Sequence, residues 1–489
     1  MPGLRRTLIA ALALLALLAP VAARAAAAPH RAPAHASAKA PVKVAAPSAL
    51  ERDTLAWVDG RGITALDLVQ RIEWMPWQEK RGLGTLDSAK VRALESLVAE
   101  ALLANESRAA SPADSVLPLY PGLRRALLRD ALFQQVSGGE PQRAADFLVH
   151  QLAGNQVTVD PATFMRFADS LGAYMRALDE PPVPDGGYRI PPEAPAVLEE
   201  RLAPMLANVI AHLPGGPLTL GEALEDMRYY PFTVRTLRAD VFAIELNTPM
   251  RRIVEGELLA REAARRGLGD RHDVRRELRR WADAWRASDA SGRLATSVNA
   301  SDDDAFHTLA LREPEQARAW AEVDLSEILC SSNGQAEEFL GELARGARFD
   351  SLATRRSRRS EWAASGGRSG WMRVSAHPEL GIAALIAPTD SLVGPVQLPE
   401  GPSLLRVHGK RLVADSAQAA PILAQARALA SGEAREQAIA AHVAELANRS
   451  AIRMRRAELE NVEILPSNMV VRRTLGFGGG MMASPQLLP

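Results

Sequence analysis

Cysteine is nearly missing: Cys330 stands alone in 489 residues. That excludes an intrachain disulfide and any zinc cage built on thiolates. An excess of either charge is missing too. Lys plus Arg and Asp plus Glu each number 58, so the chain has no electrostatic footprint for nucleic acid or an acidic membrane surface. Only five of the basic residues are lysine (Lys39, Lys43, Lys80, Lys90 and Lys410), which base composition explains as well as a ligand would. Aromatics make up 5%, few for a β-sandwich and in keeping with a helix-rich protein. The sequence holds no glycine-rich phosphate loop, no HExxH and no Gly-x-Ser-x-Gly, so nucleotide, zinc-protease and serine-hydrolase chemistry have no motif to rest on. No cofactor and no metal are expected. Asp302-Asp303-Asp304 follows Ser301 without further spaced acidic ligands, and reads as helix cap and first-turn charge rather than a calcium loop.

Long apolar runs are also lacking. Arg5 and Arg6 precede an apolar stretch from Leu8 to Pro20, and Ala23-Arg24-Ala25 has the small-x-small pattern of a signal-peptidase site. The stretch is shorter than the roughly 20 apolar residues of a membrane-spanning helix. Residues 1–25 are therefore expected to be a cleaved signal and the remaining chain exported and soluble, with no integral membrane segment. Residues 26–48, rich in Ala and Pro with no hydrophobic period, are expected to be a disordered leader. Residues 466–489, with Phe477-Gly478-Gly479-Gly480, are expected to be a flexible tail.

What is present is an internal repeat, in about 55–110 and 215–287. Ile63-Thr64-x-x-Asp67 parallels Leu218-Thr219-x-x-Glu222. Thirteen residues after Ile63 and after Leu218 comes a proline among aromatics, Trp74-Met75-Pro76-Trp77 and Tyr229-Tyr230-Pro231-Phe232. Further on, Val98 to Glu106 matches Val254 to Glu262 with one residue of slippage. Thr64 and Thr219 are placed to cap helices. In the second copy the pattern predicts a helix capped by Thr248, with Pro249 in its first turn and Gly267 at its end. A further helix from Asp270 carries a stripe of Val274, Leu278, Trp281 and Trp285, most simply core. Trp74, Trp77, Tyr230 and Phe232, beside prolines, are candidates either for client binding or for packing. Pro181 to Pro195 reads as a loop or linker inside the helical part.

Between Val323 and Val413 the pattern changes. A strand-like Val323 to Cys330 precedes a helix over about 335–344, then Gly346, Phe349, Leu352, Ala353 and Ser357, then Gly366-Gly367-Arg368-Ser369-Gly370-Trp371. A second short helix, Gly394-Pro395-Val396 and Gly401-Pro402-Ser403-Leu404-Leu405 complete the segment. This order resembles the parvulin (rotamase, PpiC-type) domain of peptidyl-prolyl isomerases. Helical flanks opening on Val58-Asp59-Gly60 and Ile63-Thr64 resemble the chaperone part of SurA-type and PpiC-type periplasmic foldases. The resemblance implies a mostly α protein with an α+β parvulin-like domain at 321–414. It also implies a helical chaperone module over 49–320, completed by a C-terminal helix and strand at 415–465, and a periplasmic location. Ile452/Met454 and Val462/Ile464 alternate as two strand pieces.

Accelerating rotation about an X-Pro bond means binding the twisted amide better than either planar form. The family does this with two histidines, a Cys or Asp, and Met and Phe floor residues. The matching positions here are Glu327, Ser403, Ser360, Ala376 and Leu380, with Leu385 where another aromatic is usual. His377 and His408 miss the motif positions. Three functions remain open at this point: an ATP-independent chaperone for unfolded exported or outer-membrane polypeptides with a degenerate domain, an isomerase with a remodelled pocket, and an envelope adaptor.

Overall fold

The computed structural model describes residues 48–73, 86–152, 155–178, 180–183, 186–230, 232–413, 418–465, 471–483 and 485. The expected signal, the expected leader up to residue 47, and both Trp74 and Trp77 lie outside them, while Ser48 is described and caps a short helix over Ala49–Arg52. The chain divides into two units, 1–290 with 449–489, and 291–448.

In the first unit, β1 (Thr54–Val58) turns through Asp59 and Gly60 into β2 (Arg61–Thr64), and α1 (Ala65–Glu73) follows at once. Next come α2 (Leu86–Ala110), α3 (Tyr120–Ser137), β3 (Thr158–Val159), α4 (Pro161–Leu178) and β4 (Tyr188–Arg189). The second copy of the repeat is β5 (Val209–Leu213), β6 (Gly216–Thr219) and α5 (Leu220–Met227). It leads through β7 (Thr233–Val234) to α6 (Asn247–Arg265) and α7 (His272–Thr296).

The hairpins that open the two copies have matching registers. β1 and β2 pair through Val58↔Arg61, Trp57↔Gly62 and Ala56↔Ile63, then shift register before Thr54↔Thr64. β5 and β6 pair through Leu213↔Gly216, His212↔Pro217 and Ala211↔Leu218, with the same shift before Val209↔Thr219. Both threonines cap as read: the Asp67 N–H donates to Thr64 Oγ1 at 3.3 Å, and the Glu222 N–H to Thr219 Oγ1 at 3.3 Å, with each carboxylate reaching back to its threonine N–H at 2.8 Å.

Several expectations are corrected here. α6 begins at Asn247 directly after a short helix over Phe242–Glu245, so Thr248 lies inside it and caps nothing. Gly267 does close it, at φ 73°. The proline-rich 181–195 stretch is no free loop, because β4 pairs with β7. Tyr230 and Phe232 stack at 6.0 Å and are 6% and 4% exposed in the core around α4, α5 and α6. Both rings are buried in that core, with the Arg129 guanidinium over Tyr230 at 4.9 Å, so they present no ring to a client.

In the second unit, α8 (Asp302–Arg312) and α9 (Pro314–Trp320) precede β8 (Ala321–Leu329). Then follow α10 (Asn333–Ala344), α11 (Phe349–Arg356), α12 (Ser360–Ala363), β9 (Arg368–Arg373), α13 (Pro378–Ile386), β10 (Leu392–Leu398) and β11 (Gly401–Leu412). The sheet is antiparallel in the order β10-β11-β8-β9, which makes β8 central and buried on both faces. One face packs Leu325, Leu405 and Val407 on α8 and α13. The other packs Ile328, Cys330 and Leu404 on Phe339 and Phe349 from α10 and α11. α14 (Ala419–Arg449) lays Ile422, Leu423 and Ala426 on the first of these cores. Its body therefore belongs with the sheet-containing unit rather than with the helical module the sequence suggested.

The chain then returns to the first unit. β12 (Ile452–Met454) pairs antiparallel with β1. Val462 and Ile464 are buried but form no strand. The expected tail holds a hairpin of β13 (Arg472–Leu475) and β14 (Gly479–Met482). Asp130 of α3 anchors it, accepting from the Gly476 N–H at 2.9 Å and from Arg473 at 2.6 Å. Phe477 meets Phe133 edge-on at 5.3 Å.

Candidate functional site

The matched pocket positions lie on one face of the second unit's sheet. Side chains alternate along a strand, and the register Leu405↔Glu327 and Ser403↔Leu329 puts Glu327 and Ser403 on the α13 side. Cys330, three residues along, points to the opposite face and is fully buried. Burial pushes its thiol up to about 11, with the Glu327 charge adding to it, so it is no nucleophile.

Glu327 is 1% exposed and Ser403 0%. The Ser403 hydroxyl donates to Glu327 Oε1. The rest of the carboxylate is taken by Arg359, whose Nε bonds Oε2 and whose Nη2 reaches Oε1 at 3.3 Å. The guanidinium lies over the Trp362 ring at 5.1 Å, and that ring meets His377 edge-on at 5.4 Å. Arg359 is the residue that reading the sequence missed. The signal was the run Arg355 to Ser360: a guanidinium beside the Ser360 position supplies the cation that a buried glutamate requires.

The surroundings explain the motif residues. Phe349, Leu352 and Ala353 are buried against β8, and the Leu329 N–H donates to Ser357 Oγ at 3.1 Å. Gly367 sits at φ +86°, where a Cβ would come within 2.5 Å of the Glu327 carbonyl oxygen. Its own carbonyl accepts from the Glu327 N–H at 2.9 Å. Only glycine lets the loop approach the strand that closely.

The remaining candidates are not brought into an open pocket. Ser360 is exposed at the start of α12. Leu380 and Leu385 are 1% and 0% exposed within the core, so neither can floor a site for a proline ring. Ala376 ends a short turn before α13. His408 is half-buried, with a ring nitrogen 2.8 Å from Ser326 Oγ, and burial holds its pKa below the usual histidine value. Chemically, the site offers no imidazole to a substrate amide, and its carboxylate is neutralised and enclosed. Among the described residues no group of His, Cys, Asp and Glu could hold a metal ion.

A variant tests how tightly this network is built. Glu327→Ala leaves the Ser403 hydroxyl buried without a partner, and Arg359 free to turn to solvent. Unfolding of this unit is expected to cost about 1–3 kcal/mol less, read as a shift in the urea midpoint. A change within experimental error would show that the three groups do not act together.

No family model matches the chain, and no curated protein does. Among solved structures, a PpiC-type peptidyl-prolyl cis-trans isomerase domain is similar at 28% identity, over 21% of this chain and 99% of that one, with a TM-score of 0.19. Peptidylprolyl isomerase PrsA from Bacillus anthracis is similar at 13% identity, over 58% of this chain and 97% of that one, with a TM-score of 0.20. A structure from the pair of SurA-like chaperones PEB4 and Cj1289 of Campylobacter jejuni is similar at 16% identity, over 53% of this chain and 95% of that one, with a TM-score of 0.21. The described chain is mostly helical with one α+β unit around a four-stranded sheet, and it is similar to PpiC-type domains and to SurA-like and PrsA foldases.

Proposed function

We propose that this protein is an exported foldase that holds unfolded polypeptides without ATP, and that its parvulin-like domain serves as scaffold rather than isomerase. The observation that carries the second half is the closed Glu327–Ser403–Arg359 network. Two imidazoles and an apolar floor would be needed there to stabilise a twisted amide, and a satisfied buried ion pair fills the space. Each 1.36 kcal/mol of missing transition-state binding lowers the rate about tenfold. Several such losses together leave little acceleration. The first half is supported by the sequence resemblance to SurA-type foldases, by the lack of any ATP motif, and by the signal-like N-terminus. No described helix is long and apolar enough to cross a membrane.

Full-length protein is expected to suppress light scattering by an unfolded exported protein diluted from denaturant. In the same preparation, cis-to-trans relaxation of a short X-Pro peptide should run within about twofold of the spontaneous rate. Robust acceleration that Ser403→Ala abolishes would replace this reading with that of an isomerase. Failure to slow aggregation would leave an envelope adaptor.

A further inference from the structure

The two copies of the repeat differ at one edge of their sheets. In the orders β12-β1-β2 and β3-β5-β6, β2 and β6 are terminal strands. The Val58↔Arg61 and Leu213↔Gly216 pairs close two-residue turns, and a turn closes on a hydrogen-bonded pair. Bonded and non-bonded pairs alternate along an antiparallel ladder. The next residue, Gly62 in one copy and Pro217 in the other, therefore points its backbone groups away from the sheet.

In the second copy that edge is sealed twice. Proline has no N–H to offer, and Arg261 of α6 donates to the Pro217 carbonyl at 2.9 Å and to the Gly216 carbonyl at 2.7 Å. In the first copy neither seal is present. Glycine replaces the proline, and the residue matching Arg261 is Asn105, whose amide reaches Asp59 at 3.5 Å instead. Beside the open edge lies a cavity of about 360 Å³, bounded by β2 and by side chains of α1, α2 and α7. Gln70 Oε1 and Arg280 Nε, both on residues lining it, are buried without a hydrogen-bond partner among the described residues. They are an acceptor and a donor, the complement of a peptide group. At its rim Arg279 is exposed, with Nε bonded to the Arg275 carbonyl. Among the described residues it has no carboxylate partner, whereas the neighbouring Arg61, Arg71, Arg276 and Arg280 are each paired.

We propose that the β2 edge takes up an extended polypeptide segment bearing a carboxylate, which pairs with Gly62 as an added strand while its acidic group meets Arg279. The mode is β-augmentation, in which backbone hydrogen bonds give affinity and side chains give selectivity. The inference rests on the chaperone reading above and places its client contact.

The probe is a short fluorescein-labelled peptide of alternating Thr and Val with one Glu, titrated with full-length protein by anisotropy. Gly62→Pro gives the first copy the second copy's own seal. A Cβ at 62 would stand 3.0 Å from Thr54 Cγ2, so Thr54→Ser is added to relieve it. Affinity is expected to fall at least about tenfold, with the unfolding midpoint held. Arg279→Glu should weaken the Glu peptide and spare a twin carrying Lys. Independently of whether the Pro variant folds, the same peptide N-methylated at alternate residues should bind at least about tenfold more weakly. Equal binding of the methylated and plain peptides, or by wild type and a folded Gly62→Pro protein, would overturn the proposal. If client protection persists in that case, only the edge assignment falls. If wild type neither binds the peptides nor protects clients, the chaperone reading falls with it.

Discussion

Asp226→Ala is expected to lower the unfolding free energy of the first unit by about 3–5 kcal/mol. Asp226 is completely buried on α5. It accepts from Arg129 at 2.9 Å and from Arg125 at 3.0 Å, both on α3. Arg129 is itself 2% exposed and lies over the Tyr230 ring at 4.9 Å, so its guanidinium has no route to water. Removing the carboxylate strands a buried charge, and the cost of an unpaired ion far exceeds the net value of the pair. Arg125 suffers less, because it keeps Glu225 at 2.8 Å and the Glu222 carbonyl at 3.1 Å. The exposed pair Arg143–Glu140, with both side chains more than half exposed, is the control: Glu140→Ala should cost below about 1 kcal/mol. Urea titration of both variants decides the matter. Equal midpoints would mean that water or a rearranged partner reaches Arg129.

Phe232→Ala is the second large effect, about 3–5 kcal/mol. The ring is 4% exposed and stacked on Tyr230 in the core that joins α4, α5 and α6, so truncation removes both its transfer energy and its packing partners. This outcome also separates two roles. Were the ring a client contact, stability would hold and protection would fall. The buried position predicts the reverse: a lower melting temperature, and undiminished protection per folded molecule well below it. Unchanged melting with lost protection would restore the ring to the surface.

Residue choices that act over a few positions were legible without any structure. Thr64 with Asp67 and Thr219 with Glu222 announce helix starts because a cap and its N3 partner meet within one turn. The α+β order of the 321–414 segment could be read in the same local way. Gly366-Gly367 stood out as a motif pair, though the approach of Gly367 to Glu327 that only glycine tolerates is seen in the structure.

Partners far apart in sequence were decided by the tertiary structure alone. The proline beside Tyr230 and Phe232 left client binding and packing both open, and burial in one core with residues of α4, more than fifty residues upstream, decided for packing. Glu327 stands at a matched pocket position, and what its carboxylate meets was decided by Arg359, which the connection between α11 and α12 brings onto it. A glycine-rich ending suggested a loose tail, yet Asp130 of α3 holds its hairpin. Composition shows how much apolar and charged surface a chain must bury. Which distant groups share that burial depends on packing, because the desolvation cost of each is settled only by the neighbour that meets it.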